Sequence, residues 1–394
     1  MKILLINVTY DIGSTGKIVK CLHEDFLKRG HDSKVIVGRR SSTFNNRVLK
    51  FTSELESKVC HMISKINGNL YGGMHFSTGR IIKFIKKEKP DIVHLHCVNG
   101  FFVNVYKLLT FLKKNNIGTV LTNHSDFMFT GNCGCALGCQ KWKVGGCERC
   151  GFVHSFNSKI SLDLTHRYFQ KMKKAFENFG NLSITNVSEW LALRSASSII
   201  QKSIKKNSTI LNPIDDSLFS NFVNNPFETK HKNVFYCTAD FNNPEKGGER
   251  IFVIASAMPN VDFWIKSSTE PNTKRKMSNV HFINENISLK DYYHYADSTI
   301  ILSKAETFSM VVAESLFCGT PVVGFKCGGP ESIAIDDFSF FVEQDDVESF
   351  VESLKKAFLL KSKSAEIIYR AKEKYDRSVI AGHYLETYKK LLER

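Results

Sequence analysis

The chain has 394 residues, 42% of them apolar, with 54 Lys and Arg against 39 Asp and Glu. That length suits two α/β domains rather than one core. The apolar content argues against disorder, and no apolar run reaches the ~18 residues of a spanning helix. The surplus charge is one-sided: residues 1–200 carry 29 Lys and Arg against 13 Asp and Glu, and the remainder 25 against 26. A basic half attracts phosphate-rich partners, among them an anionic membrane face, a pyrophosphate lipid or nucleic acid; a solvated lysine surface is the alternative.

The first residues, Met1-Lys2-Ile3-Leu4-Leu5-Ile6-Asn7, are basic and then apolar. The run is too short for a signal-peptide core and no small-residue cleavage site follows, so it reads as a buried strand of an intracellular protein. Residues 2–8 form that strand, the turn Asp11-Ile12-Gly13-Ser14-Thr15-Gly16 follows, a helix runs to about 29, and 35–38 is a second strand. This is a doubly wound beginning. Residues 79–88 read as a basic amphipathic helix. Strands at 91–96 and 119–122 open into loops, the second into Asn123-His124-Ser125-Asp126. A helix over 159–179, a strand over 183–187 and a helix from 189 to 196 complete the first series. Asn225-Pro226 and the charged run to Lys232 read as a linker. A second series starts at 233–237, with strands at 261–265, 280–283, 299–302 and 321–325 and an amphipathic helical segment over 364–393. The expected class is α/β, two Rossmann-like doubly wound domains facing a cleft. Residues 1–206 form the first domain with a Cys-rich loop at 130–151, 207–377 the second, and 378–394 a last helix packing back on the first domain. Ligands of such folds sit beyond the strand ends.

Residues 305–331 carry the densest pattern. Strand 300–303 ends, Glu306 lies in the loop, and 310–318 is a helix whose start offers unpaired N–H groups to a phosphate. Glu306 and Glu314, eight apart, would accept hydrogen bonds from hydroxyls on either side of those phosphates. Gly319-Thr320-Pro321 ends the helix, and Gly328-Gly329 permits close backbone approach. Asn242-Asn243-Pro244-Glu245-Lys246-Gly247-Gly248 follows the first strand of the second series. Gly13-Ser14-Thr15-Gly16-Lys17 lacks the spacing of a P-loop. Cys147-Glu148-Arg149-Cys150 is a Cys-x-x-Cys knuckle which, with Cys139 and either Cys133 or Cys135, would make a tetrahedral thiolate zinc site; reduced thiols without metal are the alternative. No Asp-x-Asp stands at a strand end.

The Glu306–Glu314 segment resembles the Glu-seven-Glu signature of the family 4 glycosyltransferases, which have the GT-B fold. The resemblance implies that Glu306 contacts the donor sugar, that the backbone of Phe308, Ser309, Met310 and Val311 holds diphosphate or sugar, and that Glu314 binds the ribose. Pro244-Glu245-Lys246-Gly247 resembles the family's turn whose lysine binds the diphosphate. The arginine usual a few residues earlier is replaced by Asp240-Phe241, so Lys246 acts alone or with Arg250 or Lys304. Gly13 and Gly16 match the loop that nears donor phosphates or acceptor. Thr122-Asn123-His124-Ser125-Asp126 resembles the family's Thr-x-His-x-Asp, which gives His124 a hydrogen bond to the sugar and Asp126 the orientation of His124 or a touch on the acceptor; His94 and His96 read as structural. A branch of the family carries an insertion like Thr130-Gly131-Asn132-Cys133 with Trp142 and a closing Cys-x-x-Cys. With it comes the expectation of structural zinc on Cys133, Cys139, Cys147 and Cys150.

The implied activity is retaining transfer of a sugar from a nucleotide-sugar donor, with no cofactor or metal required for catalysis. The acceptor would be a glycan, lipid-linked through a polyprenyl diphosphate, in bacterial surface-polysaccharide assembly. The protein would be cytoplasmic and peripheral on the anionic inner membrane face, with no nucleic acid as partner. The rivals are a sugar-nucleotide epimerase or phosphorylase of the same fold and, ranked last, a zinc-containing nucleic-acid binder.

Overall fold

A computed structural model of the chain describes residues 1–131, 133–136, 138–150, 162–202, 204, 206–227, 229–283 and 288–393. Two compact units divide it: Met1–Pro213 with Ile380–Arg394, and Ile214–Val379. The first unit contains β1 (Lys2–Tyr10), α1 (Gly13–Lys28), β2 (Asp32–Ser41), β3 (Val48–Lys50), α2 (Glu54–Asn67), α3 (His75–Glu88), β4 (Ile92–Leu95), α4 (Val105–Lys114), β5 (Gly118–Asn123), α5 (Lys141–Val144), α6 (Thr165–Phe176), β6 (Leu182–Asn186), α7 (Glu189–Ser197) and β7 (Asn207–Thr209). Its seven strands run parallel in the order β3-β2-β1-β4-β5-β6-β7. Ile3 to Ile6, Val35 to Val37 and Val120-Leu121 are buried. Burial on both faces explains why these strands read as continuous apolar runs rather than alternating ones.

Residues 207–213 belong to this first unit, because β7 pairs with β6 through Ile184, Thr185 and Asn186. The expected boundary at 206/207 therefore moves to 213/214. The first glycine turn is shorter than expected, since α1 begins inside it at Gly13. Of the helix expected over 159–179, residues 159–161 lie outside the described residues and the helix observed is α6.

The second unit contains β8 (Lys232–Thr238), α8 (Arg250–Ala257), β9 (Val261–Ser267), β10 (Val280–Phe282), α9 (Leu289–Tyr295), β11 (Ser298–Ile301), α10 (Met310–Phe317), β12 (Val322–Phe325), α11 (Gly329–Ile333), β13 (Ser339–Val342), α12 (Val347–Leu360) and α13 (Ser364–Tyr375). Six strands run parallel in the order β10-β9-β8-β11-β12-β13. Val234, Ile251, Phe263, Ile300, Val323, Phe350 and Leu354 form one apolar cluster between this sheet and the helices α8 and α12.

The helical segment expected over 364–393, with a last helix from 378, is two helices. Asp376 leaves helical geometry at φ −54°, ψ 137°, and α14 (Arg377–Leu392) starts beyond it. Residues 380–393 return to the first unit, where the ring hydroxyls of Tyr384 and Tyr388 reach the buried ends of β4 and β5.

Candidate functional site

In the second unit the ends of β8, β11 and β12 present one cluster. Lys246 Nζ donates to Glu306 Oε1 at 2.8 Å, and Ser303 Oγ donates to the same oxygen at 2.8 Å. Lysine and glutamate stand 60 residues apart in sequence and both are partly exposed. Two close backbone approaches build this geometry. Gly247 has φ +68°, and a Cβ there would lie 2.1 Å from the Leu302 carbonyl oxygen. A Cβ on Gly329 would lie 2.2 Å from the Thr307 carbonyl carbon. Only glycine fits either place without moving backbone. The Glu306 N–H donates to the Cys327 carbonyl at 3.0 Å, and the Gly329 N–H to the Glu306 carbonyl at 2.7 Å, so the loop bearing Glu306 is laced to the Gly-Gly turn. Glu331 fastens that turn by accepting from the N–H groups of Cys327 and Gly328.

Helix α10 starts beside this loop. Ser309 precedes it at φ +77°, a conformation uncommon for a residue with a Cβ, and strain of this kind collects at functional sites. Its Oγ is buried and has no hydrogen-bond partner among the described residues. The N–H groups of the first turn have no acceptor within a helix, and the dipole makes that end partly positive. Phe308 is buried beneath the helix start, while Met310 and Val311 are half-buried. Further along, Glu314 Oε2 accepts from the Tyr293 hydroxyl at 3.0 Å. Ser303 and Tyr293 carry no local sequence signature, and both were missed in the sequence reading.

The two cations considered as substitutes for the absent arginine differ. Arg250 is committed: its guanidinium donates to the Leu302 carbonyl and Gln344, pairs with Asp345 at 2.7 Å, and lies over the Phe325 ring at 4.9 Å. Lys304 is exposed and lines a cavity with Asn242, Asn243, Pro244 and Gly247, and its ammonium makes no hydrogen bond or ion pair among the described residues.

In the first unit the ends of β4, β5 and β6 gather polar side chains. His94 places Nδ1 2.6 Å from the Tyr388 hydroxyl and Nε2 2.7 Å from the Thr122 hydroxyl. His96 Nδ1 lies 3.1 Å from His124 Nε2, while His96 Nε2 is buried with no hydrogen-bond partner among the described residues. Asn123 donates to Asn186 and Gln201 at 2.9 Å each. Gly13 and Gly16 lie in the first turn of α1.

Burial holds His94 and His96 well below the usual imidazole range and pushes His124 down to about 4. These rings are neutral at neutral pH, so they act through hydrogen bonds and not as charges. The pH consequence follows from the sign. Unfolded imidazoles take up protons below about pH 6.5 and the buried ones do not, so the folded state loses stability as pH falls from there toward 4. His124 alone should account for on the order of 3 kcal/mol of that loss, read as a falling urea midpoint. A midpoint that stays level across that window would show the rings to be solvated.

The Asp126 carboxylate is fully buried. It pairs with Arg194 through both oxygens and accepts from the Ala136 N–H at 2.7 Å. Arg194 in turn lies between the rings of Trp142 and Trp190, at 4.9 and 4.6 Å. Asp126 thus pins the Cys-rich loop to α7, and Arg194 is a partner that the sequence reading did not name. Within that loop the Gly131 N–H donates to Cys147 Sγ at 3.2 Å, and Trp142 Nε1 to the Cys139 carbonyl at 2.8 Å. Donation of its S–H to Cys150, burial, and the neighbouring Cys150, Cys147 and Cys139 raise the Cys133 thiol above its usual range. The four sulfurs therefore share one neighbourhood. Among the described residues, however, no three His, Cys, Asp or Glu side chains stand as a set able to hold a metal ion. Asn132, Leu137 and Gly151 of the loop lie outside the described residues.

Two doubly wound parallel units, the second with a lysine and two carboxylates around a helix start, are the architecture of GT-B glycosyltransferases. The chain belongs to glycosyltransferase family 4: the family described as Glycosyltransferase Family 4 matches residues 16–190, and Glycosyl transferases group 1 matches residues 228–374. A D-inositol 3-phosphate glycosyltransferase of Xylanimonas cellulosilytica is 41% identical over 58 residues, 15% of this chain and 14% of that enzyme's length. Among solved structures, sucrose-phosphate synthase of Thermosynechococcus elongatus superposes with TM-score 0.69 at 14% identity over 99% of both chains. The catalytic domain of Arabidopsis thaliana starch synthase IV, bound to ADP and acarbose, gives 0.66 at 15% identity over 100% of both chains. HepE of Anabaena, solved with UDP-glucose, gives 0.60 at 14% identity, covering 99% of this chain and 100% of that one. At such identities these structures speak for the fold.

Proposed function

We propose that the chain moves a sugar from a nucleoside-diphosphate donor to a glycan acceptor with retained anomeric configuration, and that the second unit grips the donor. The observation that carries this is the meeting of Lys246 and Glu306 in the loop before α10, where the buried Ser309 hydroxyl at the helix start has no hydrogen-bond partner among the described residues and Glu314 follows along the helix. A diphosphate is stabilised there by the ammonium of Lys246 and by the first-turn N–H groups. As the leaving group gains charge these fixed dipoles gain in worth, which lowers the barrier without protein rearrangement. Lys246 is then released from Glu306, whose carboxylate accepts sugar hydroxyls, while Glu314 accepts from the ribose. Same-face attack assisted by the departing phosphate supplies retention, and no metal is needed for the transfer step. The acceptor is lipid-linked through a polyprenyl diphosphate, as in surface-polysaccharide assembly; the basic excess in residues 1–200 supports an anionic partner there.

A thermal-shift screen against UDP-, GDP- and ADP-sugars tests the reading. One nucleotide class should raise the melting temperature, since a ligand at ~100 times its Kd adds about 2.7 kcal/mol. No shift with any of them would sink it. The four clustered thiols Cys133, Cys139, Cys147 and Cys150 are proposed to hold a structural zinc when deprotonated, pinning a loop too glycine-rich to bury a core. Metal analysis of protein purified without chelator should then give about one zinc per chain, and Cys147→Ser should abolish it. Metal-free protein with an unchanged melting temperature would remove the zinc.

A further inference from the structure

Helix α2 is inside out. Its inward face carries Ser57 and Ser64, 1% and 0% exposed, and the half-buried Cys60. Its outward face carries Leu55 at 74%, Val59 at 44%, Met62 at 66%, Ile63 at 48% and Ile66 at 57% exposed. Spacings of four, three, one and three residues put all five on one stripe about 100° wide. Phe76, 80% exposed, stands at the start of α3. The helix is firmly held by its polar side. Glu56 accepts from the Phe76 and Ser77 N–H groups at 2.9 Å each, and the Met74 N–H donates to Cys60 Sγ at 3.3 Å. An exposed apolar face of this size marks an interaction surface.

Charge says which partner fits. Lys58 and Lys65 follow the same border of the stripe, both exposed, and neither makes an ion pair among the described residues. Helix α3 closes with Lys86 and Lys87 in its last turn. A second copy of the chain would bring like charges against these lysines, which costs affinity. Nucleic acid would satisfy the lysines and leave the apolar stripe in water. A bilayer with anionic headgroups satisfies both, with aliphatic side chains entering the acyl boundary and ammonium groups meeting phosphates. Among the described residues no helix is long and apolar enough to cross a membrane, so the contact is one of lying on the surface.

We propose that the outward face of α2, with Phe76, is the surface by which the protein docks on an anionic lipid bilayer. This deepens the proposal of a lipid-linked acceptor, yet the docking itself does not depend on transfer. The full chain should float with vesicles of phosphatidylcholine and phosphatidylglycerol and not with phosphatidylcholine alone. Met62→Glu with Ile66→Glu should cut the bound fraction about tenfold or more, and Lys58→Glu with Lys65→Glu should weaken binding and flatten its salt dependence. Both doublets sit on exposed positions, so the melting temperature and the shift induced by nucleotide-sugar should stay as in the unaltered protein. The proposal is overturned if the apolar doublet floats as well as the parent. It is also overturned if the parent ignores anionic vesicles at low salt, or if the parent is a dimer that the apolar doublet makes monomeric. An unaltered protein that does not float while its nucleotide-sugar shift is present refutes the docking alone; an unaltered protein that floats but shows no such shift refutes the donor reading alone.

Discussion

Replacing Lys246 with alanine should lower kcat by about 10²–10³, the range found when one preorganised donor to a developing oxyanion is removed. The reason lies in the ion pair. With Lys246 gone, Glu306 keeps the Ser303 hydroxyl but faces an incoming diphosphate with no intervening cation. Donor affinity should fall too, because like charges then meet at the ends of β8 and β11. Glu306→Gln separates the two effects. It frees the ammonium and keeps the shape, so nucleoside diphosphate alone should bind as well or better while transfer of the sugar slows. Donor Kd and single-turnover rates check this. If both variants turned over like the parent, the cluster at the start of α10 would have no part in the reaction.

Asp126→Ala should be the most destabilising of these changes, by about 3–5 kcal/mol, because it leaves the Arg194 charge desolvated and unpaired. The pair has little solvent to fall back on, since Asp126 is fully buried and Arg194 lies between two tryptophan rings. Combining Asp126→Ala with Arg194→Met should recover much of the loss, because the double change removes both charges together. Denaturant melts of the two singles and the double measure the coupling. A single variant within ~0.5 kcal/mol of the parent would show the pair to be solvated.

Much of the fold is legible because parallel strands buried on both faces leave continuous apolar runs. The sequences Lys2 to Asn7 and Pro321 to Phe325 announce β1 and β12 for that reason. Helix α10 is legible from its flanks, a loop glutamate before it and Gly-Thr-Pro after it. What could not be read is whatever joins distant residues. Lys246 and Glu306 are separate motifs on paper, and only the strand order β8-β11-β12 sets them 2.8 Å apart. Tyr293 and Glu314 meet for the same kind of reason, across two helices. Arg194 looks like an ordinary helix-surface residue, and nothing local reveals that it crosses to Asp126, 68 positions back. Helix α2 escaped notice because periodicity reports an apolar face without saying whether protein or solvent lies against it.

The return of the last helix to the first unit has a consequence for synthesis. Tyr384 and Tyr388 supply hydroxyls to Thr122 and His94, so the end of the sequence finishes a cluster begun some 260 to 290 positions earlier. On the ribosome the leading unit must wait, its imidazole lacking a phenol, until the whole trailing unit has emerged. Residues 1–213 expressed alone should be loose for want of that plug. A synthetic peptide spanning 377–393, added in trans, should tighten them.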